Sequence, residues 1–215
     1  MSGAVSFTRV QSVLPNAANT PAKRRMWWKG LEAQWRQAFN EAVLGARDAE
    51  AEPSDAELEQ LWMTEVFRFA GPGGTCPNMS IELDNLSGIA GMTRIETLIV
   101  TNHRLQGIRE AGTLPQLKGL FVYHNAITSL SGIEHLDALE QLYIQDNLVE
   151  DFRPLENLHN LRELYANANA IRSLKGLNRQ HAKKLKHFYC LPNDRLLNRE
   201  IARVEQALGI RCRVR

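Results

Sequence analysis

Two stretches of the sequence decide the fold, LKGLFVYHNAITSL at 117–130 and LEQLYIQDNLVEDF at 139–152. They start 22 residues apart and share the pattern Leu-x-x-Leu-x-(Val/Ile)-x-x-Asn-x-(Ile/Val). Further copies begin at Ile95, Leu161 and Leu185, so five blocks follow one another at spacings of 22, 22, 22 and 24 residues. Repeats of this length are typical of a solenoid in which each block forms one turn.

Each block also predicts its own local structure. The apolar residues Leu120 and Val122 are two positions apart, which places both side chains on one face of a strand. A single strand of this kind cannot bury its apolar face, whereas stacked copies form a continuous core. The second half of each block carries further apolar positions, such as Ile108 and Leu114 in the first block.

These blocks resemble the leucine-rich repeat family, in particular its 22-residue class, which includes the bacterial internalins and the regulatory subunit of protein phosphatase 1. The resemblance covers residues 76 to about 193 and implies about five to six repeats. It implies an α/β fold, namely a right-handed leucine-rich-repeat solenoid with a concave parallel β-sheet. It further implies that the block asparagine bonds backbone groups where the strand turns. We call the set of these residues the asparagine ladder: Asn125, Asn147, Asn169 and Asn193. His103 stands at this position in the first block, which predicts a looser, partly exposed turn there.

The two ends of the chain depart from the repeat and are predicted to cap it. Residues 26–75 are expected to form a helical N-terminal cap, because apolar residues recur at helical spacing from Trp28 to Val43. A second helix is predicted from Ser54, with Glu57 completing a capping box and Val66 and Phe67 on its apolar side. Residues 194–215 are predicted to be a C-terminal capping helix and tail.

Residues 1–25 are polar, contain no acidic residue and are predicted to be a flexible tail. They lack the apolar segment and cleavage site of a secretory signal. Two other interpretations stay open, an organellar presequence and the polar leader of an exported effector.

Side chains between the buried strand positions are predicted to face outward from the concave sheet. One column contains an aromatic residue on four consecutive strands, and exposed apolar patches often mark interaction sites. We call these four residues the aromatic column: Phe121, Tyr143, Tyr165 and Tyr189. The predicted partner-binding residues are Phe121, Tyr123, Tyr143, Gln145, Tyr165, Asn167, Tyr189, His124 and Asp146. Stacking that only stabilises the sheet is the alternative role for the aromatic column.

The sequence predicts a non-enzymatic protein-interaction module that binds a protein or extended peptide on its concave face. One alternative is a regulatory or targeting subunit, or a secreted bacterial effector, with its ligand site in the N-terminal cap near Trp27. A remote alternative is an enzyme using His124 and Asp146 as an acid–base pair, although no Ser or Cys is expected beside them.

Composition and motif content limit the kinds of partner that the sequence predicts. The net charge is only +2, no metal-ligand or phosphate-loop motif is present, and no apolar run is long enough for a membrane helix. We therefore expect a monomer with no cofactor, no nucleic-acid partner and no membrane partner. The cysteines Cys76, Cys190 and Cys212 are far apart in the sequence and do not form a disulfide framework. This pattern fits a reducing compartment, so a cytoplasmic location is expected. The alternative is export as an effector without a cleavable signal peptide.

Overall fold

A computed structural model describes residues 19–45 and 48–214. Its helices are α1 (Pro21–Gly30), α2 (Ala33–Ala42), α3 (Asp55–Met63), α4 (Arg179–Lys184) and α5 (Asn198–Leu208). Its strands are β1 (Val66–Ala70), β2 (Thr97–Thr101), β3 (Gly119–Phe121), β4 (Gln141–Tyr143), β5 (Glu163–Tyr165), β6 (His187–Leu191) and β7 (Arg213–Val214). All neighbouring strands pair in parallel, in the order β1-β2-β3-β4-β5-β6-β7.

The repeat explains this topology. Leu98, Leu120 and Leu142 lie opposite one another on successive strands and are fully buried. The return halves contain short 3₁₀ turns at Ser87–Ile89, Arg109–Thr113 and Arg153–Leu155, whose apolar residues close the core from the other side. The predicted leucine-rich-repeat solenoid is confirmed.

The asparagine ladder makes the predicted turn contacts. Asn147, which is only 6% exposed, donates from Nδ2 to the Val122 carbonyl at 2.9 Å. Its Oδ1 accepts from the Ile127 amide, also at 2.9 Å. Asn125 and Asn169 repeat this arrangement, and Asn193 bonds the Ala166 carbonyl and the Asn169 amide. Each member therefore ties its own turn to the preceding one.

His103 corrects the prediction of a loose first turn. Its ring is only 5% exposed and makes the same two contacts as a ladder asparagine. Nε2 lies 3.3 Å from the Phe69 carbonyl oxygen, and Nδ1 lies 3.1 Å from the Leu83 amide nitrogen, which donates to it. A neutral imidazole offers one donor and one acceptor, as a side-chain amide does, so the turn stays closed.

The N-terminal cap also differs from its prediction. The stretch expected to be one helix over 26–45 forms α1 and α2, and α1 begins at Pro21, inside the expected tail 1–25. Residues 1–18 of that tail lie outside the described residues. Thr20 caps α1, and Pro at the first turn suits the helix start.

Val66 and Phe67 are not helical, because α3 ends at Met63 and Val66–Ala70 form β1. The alternation of Val66–Ala70 buries Phe67 and Phe69 opposite Leu98 and Val100. This strand extends the sheet into the segment assigned to a purely helical cap.

The C-terminal end contains more regular structure than predicted. The longer spacing of 24 residues before the last block accommodates α4, which begins with a capping box. The Asn178 backbone amide donates to His181 Nδ1, and Asn178 Oδ1 accepts from the Gln180 amide. Helix α5 ends at Leu208, with Gly209 in the left-handed conformation, and lies within the segment 194–215 that is predicted to contain a capping helix. Arg213 and Val214, expected in a solvated tail, form β7 beside β6. Cys190 occupies an apolar position of the last block and is buried in the core.

Candidate functional site

The concave face carries the aromatic column as predicted from the repeat. Phe121, Tyr143, Tyr165 and Tyr189 are opposite one another on β3 to β6. Successive ring centroids are 4.7, 4.2 and 4.7 Å apart. The planes of the neighbouring tyrosine rings are inclined by only 31° and 24°, so the rings pack face against face along the column. The structure therefore combines mutual stacking with partial exposure.

Tyr143 is fixed at the centre of this column. Its hydroxyl donates to Glu163 Oε2 at 2.5 Å. Partial burial and this hydrogen bond raise the pKa of Tyr143, so the phenol stays protonated at neutral pH. A fixed, uncharged ring of this kind loses little side-chain entropy when a partner binds it.

A second row of predicted contact residues lies beside the aromatic column. Tyr123, Gln145 and Asn167 follow one another on successive turns. Gln145 is only 5% exposed, whereas the sequence predicts an exposed side chain that contacts the partner. Gln145 Oε1 and Asn167 Oδ1 are buried without a hydrogen-bond partner.

His124 and Asp146 meet at the edge of the concave face. His124 Nδ1 lies 3.5 Å from Asp146 Oδ2, and both side chains are about half exposed. The expectation that no cysteine lies near them needs correction, because Cys76 lines the same cavity as His124. In the described part of the chain, however, no hydrogen bond joins this thiol to the His124 ring.

The strand starts form a charged edge that follows the alternation of the sequence. Lys118 Nζ lies 2.8 Å from Glu96 Oε2, and Arg162 Nε lies 3.3 Å from Glu140 Oε2. These four side chains are substantially exposed, so each pair adds only about 0–1 kcal/mol. The pairs neutralise one another and leave this edge without a strong net charge.

The alternative site around Trp27 is part of the packing of the cap. The Trp27 ring makes edge contacts with Phe39 and Trp62, both at 5.4 Å between centroids. These contacts account for an aromatic residue that stands off the main apolar stripe of the helix.

Two further observations concern residues 19–45 and 48–214. No group of three or more His, Cys, Asp or Glu side chains is arranged to hold a metal ion within those residues. None of their helices is both long enough and apolar enough to cross a bilayer.

The residues at the two ends of the aromatic column were not predicted from the sequence. Arg68 on β1 lies opposite Ile99 on β2, which lies opposite Phe121. Arg213 on β7 lies opposite Tyr189. The row therefore begins and ends with an arginine, which only the pairing of β1 and β7 reveals.

A cavity of about 390 Å³ opens at the Arg68 end of this row. It lies between the concave face and the Gly-rich segment 71–76 that follows β1. Asn78 holds this segment, because its side chain accepts from the Ala70 amide at 2.7 Å and donates to the Arg68 carbonyl at 2.8 Å. The sequence does carry a signal for the cavity, the run Gly71-Pro-Gly-Gly, but not its position over the sheet.

Comparison with known proteins agrees with the repeat architecture. A family model for leucine-rich repeats, spanning two copies, matches residues 115–157. No curated protein sequence matches the chain.

Several solved structures are similar to the chain. Internalin C2 from Listeria monocytogenes is 21% identical, with a TM-score of 0.45, over 83% of this chain and 90% of that one. The leucine-rich-repeat ectodomain of the receptor kinase SOBIR1 from Arabidopsis thaliana is 20% identical, with a TM-score of 0.47, over 60% of this chain and 69% of that one. The matching repeat model assigns residues 115–157 to leucine-rich repeats, and the repeated blocks, the asparagine ladder and the parallel sheet extend the same architecture over residues 95–193.

Proposed function

We propose that the protein is a non-enzymatic interaction module that binds an extended peptide segment of a partner protein on its concave face. The fold is one that commonly serves protein–protein interaction. The observation that carries the proposal is the partly exposed aromatic column with the amide side chains of Gln145 and Asn167 beside it.

The aromatic column suits the side chains of an extended peptide, and the neighbouring row of amide side chains suits its backbone. Tyrosine edges and hydroxyls offer apolar contact and hydrogen bonding at small entropic cost, which is why tyrosine is frequent at binding hot spots. An amide side chain presents either its oxygen or its nitrogen after a half-turn about its last bond. Peptide N–H and C=O groups recur along an extended chain, so they can pair with the Asn167 amide, which is partly exposed on this face.

A substitution experiment tests this site. We expect the double variant Tyr143→Ala, Tyr165→Ala to bind at least about tenfold more weakly, because central hot-spot residues contribute about 2 kcal/mol or more. The lost stacking should lower stability by about 0.2–1 kcal/mol per pair, which leaves the fold intact. The measurement is selection from a displayed library of random linear peptides, followed by titration of the enriched peptides and by thermal unfolding.

Lys175→Glu is the control, since Lys175 is exposed on the return half, away from the strands. It should bind the selected peptides as the unchanged protein does. The proposal fails if no peptide is enriched, or if the double variant binds the enriched peptides as tightly as the unchanged protein.

A further inference from the structure

We propose that the cavity beside Arg68 is a subsite for a carboxylate, placed at one end of the peptide groove. This inference rests on the proposed function and adds a chemical requirement to it. A partner peptide should present a carboxylate, from its C-terminus or from an acidic side chain, where it reaches β1. The cavity itself is independent of the aromatic column, so the two ideas can fail separately.

Position and alternation direct Arg68 into the groove. Phe67 and Phe69 are buried on the core side of β1, so Arg68 between them faces the concave side. Its register places it in line with Ile99 and Phe121. A ligand that follows the aromatic column across the strands therefore arrives at this guanidinium.

The floor and roof of the cavity are made of small groups. Ala70 and Thr101, both 3% exposed, form its floor, and the glycines of segment 71–76 form its roof. Gly71 must lack a side chain, because a Cβ there would stand 1.9 Å from the Asn102 carbonyl oxygen. A Cβ at Gly74 would likewise approach Asn102 Nδ2 to 3.0 Å. The roof can thus lie close to the sheet and still leave a cavity beside Arg68.

The Arg68 guanidinium is a pure donor, and the Thr75, Asn102 and Tyr123 side chains around the cavity can also donate hydrogen bonds. Arg68 donates one bond, from Nη2 to the Cys76 carbonyl, and it has no carboxylate partner within the described residues. Over the same residues, the side chains of Thr75, Asn102 and Tyr123 make no hydrogen bond. These groups can donate to a ligand oxygen from several directions.

The charge of the cavity favours a singly charged anion. No acidic residue lines it, and its titratable side chains besides Arg68 are Cys76, Tyr123 and His124. Asp146 faces His124 from outside the lining, at 3.5 Å. One guanidinium matches a carboxylate in charge and in its two-pronged geometry, whereas phosphate groups are usually held by arginine clusters.

A titration with small probes tests the subsite without any peptide partner. N-acetylglycine carries a terminal carboxylate, the α-amide of N-acetylaspartate carries a side-chain carboxylate, and N-acetylglycinamide carries neither. Each is added to the full chain labelled with ¹⁵N, and the amide signals of Gly73, Gly74 and Asn102 are followed. We expect saturable shifts with at least one carboxylate probe and none with N-acetylglycinamide. The tighter of the two carboxylate probes identifies the source of the group.

Matched variants decide whether Arg68 is responsible. Arg68→Gln should raise the dissociation constant at least about tenfold, because a hydrogen bond to a charged group is lost. Arg68→Lys keeps the charge and should retain part of the binding. Arg213→Gln removes the same group from the other end of the row, where the cavity does not extend, and should leave the constant unchanged within about twofold.

Four results would overturn the proposal. They are no saturable shift with either carboxylate probe, equal binding by the amide probe, equal binding by Arg68→Gln, and tighter binding of inorganic phosphate, which would make the cavity a phosphate site. If the carboxylate probes bind but the peptide selection fails, the subsite stands and the proposed peptide groove falls.

Discussion

At the scale of single residues, the asparagine ladder is the feature that the repeat pattern explains most directly. Asn147→Ala removes hydrogen bonds to Val122 and Ile127 in the middle of the array. We expect a loss of about 1–3 kcal/mol in the free energy of unfolding, because buried backbone groups are left without partners. Denaturant unfolding measures the loss. Asn157→Ala is the control, since Asn157 is exposed and lies outside the ladder. Equal stability of the two variants would contradict the ladder.

His103 predicts a dependence of stability on pH. Burial lowers the pKa of this ring, which is neutral while Nδ1 accepts from Leu83, and the nearby Glu82 carboxylate opposes the shift. The unfolded chain therefore binds the proton at higher pH than the folded protein does. The contribution of His103 is complete above pH about 6.5 and is lost as the pH falls toward the lowered folded value.

The variant His103→Asn isolates this effect. Asparagine supplies the same donor and acceptor without titrating, as Asn125 does one turn later. Below pH about 6.5 the unchanged protein should lose stability relative to His103→Asn, by about 1.4 kcal/mol for each unit of the pKa shift. Any loss common to both proteins belongs to other groups, among them His181, whose pKa burial also lowers. Parallel stability curves for the two proteins would show that His103 does not titrate in this range.

At the scale of elements, the N-terminal cap and β1 cover one end of the solenoid. The Trp35 ring packs directly on Gly88, where a Cβ would stand 2.1 Å from the ring. A chain beginning at residue 76 loses this cover and leaves β2 as an unprotected edge strand. We expect it to aggregate and to lose cooperative unfolding, as measured by size-exclusion chromatography and calorimetry. A chain beginning at residue 19 keeps every described element and serves as the control. A soluble, cooperatively folding chain from residue 76 would show that the cap is dispensable.

The elements that follow the repeat could be predicted from the sequence, and those at its ends could not. Apolar residues at fixed positions specify β2 to β6 because every strand must fill the same core. The sequence indicates a helix at Val66 and Phe67 because both continue the apolar spacing that begins after Ser54, and no asparagine follows β1 at the usual distance. β7 has only two residues, too few for a pattern. The role of His103 was not predicted, because its imidazole makes the same two hydrogen bonds as a side-chain amide. A repeat pattern records residue types and does not show such an equivalence of contacts.

At the scale of the whole molecule, the concave face combines features from every repeat. The aromatic column was predictable, because one position in each block determines it. The crowding of Gln145 and the cavity beside Arg68 were not, because both depend on how neighbouring turns and the segment 71–76 approach one another. The row from Arg68 to Arg213 crosses all seven strands, at about 4.8 Å per strand. A ligand along its full length would thus be about 29 Å long, or eight to nine extended residues.

The asparagine ladder also has a direction. Every side-chain bond it makes between turns reaches back toward the N-terminus, as from Asn147 to Val122 and Ile127. His103, which takes the place of an asparagine in the first block, likewise reaches back to Phe69 and Leu83. During synthesis, each of these residues therefore leaves the ribosome after the groups it will bind. Each turn can therefore form its hydrogen bonds to the preceding turn before the rest of the chain has been synthesised, so the solenoid can fold in the order in which it is translated.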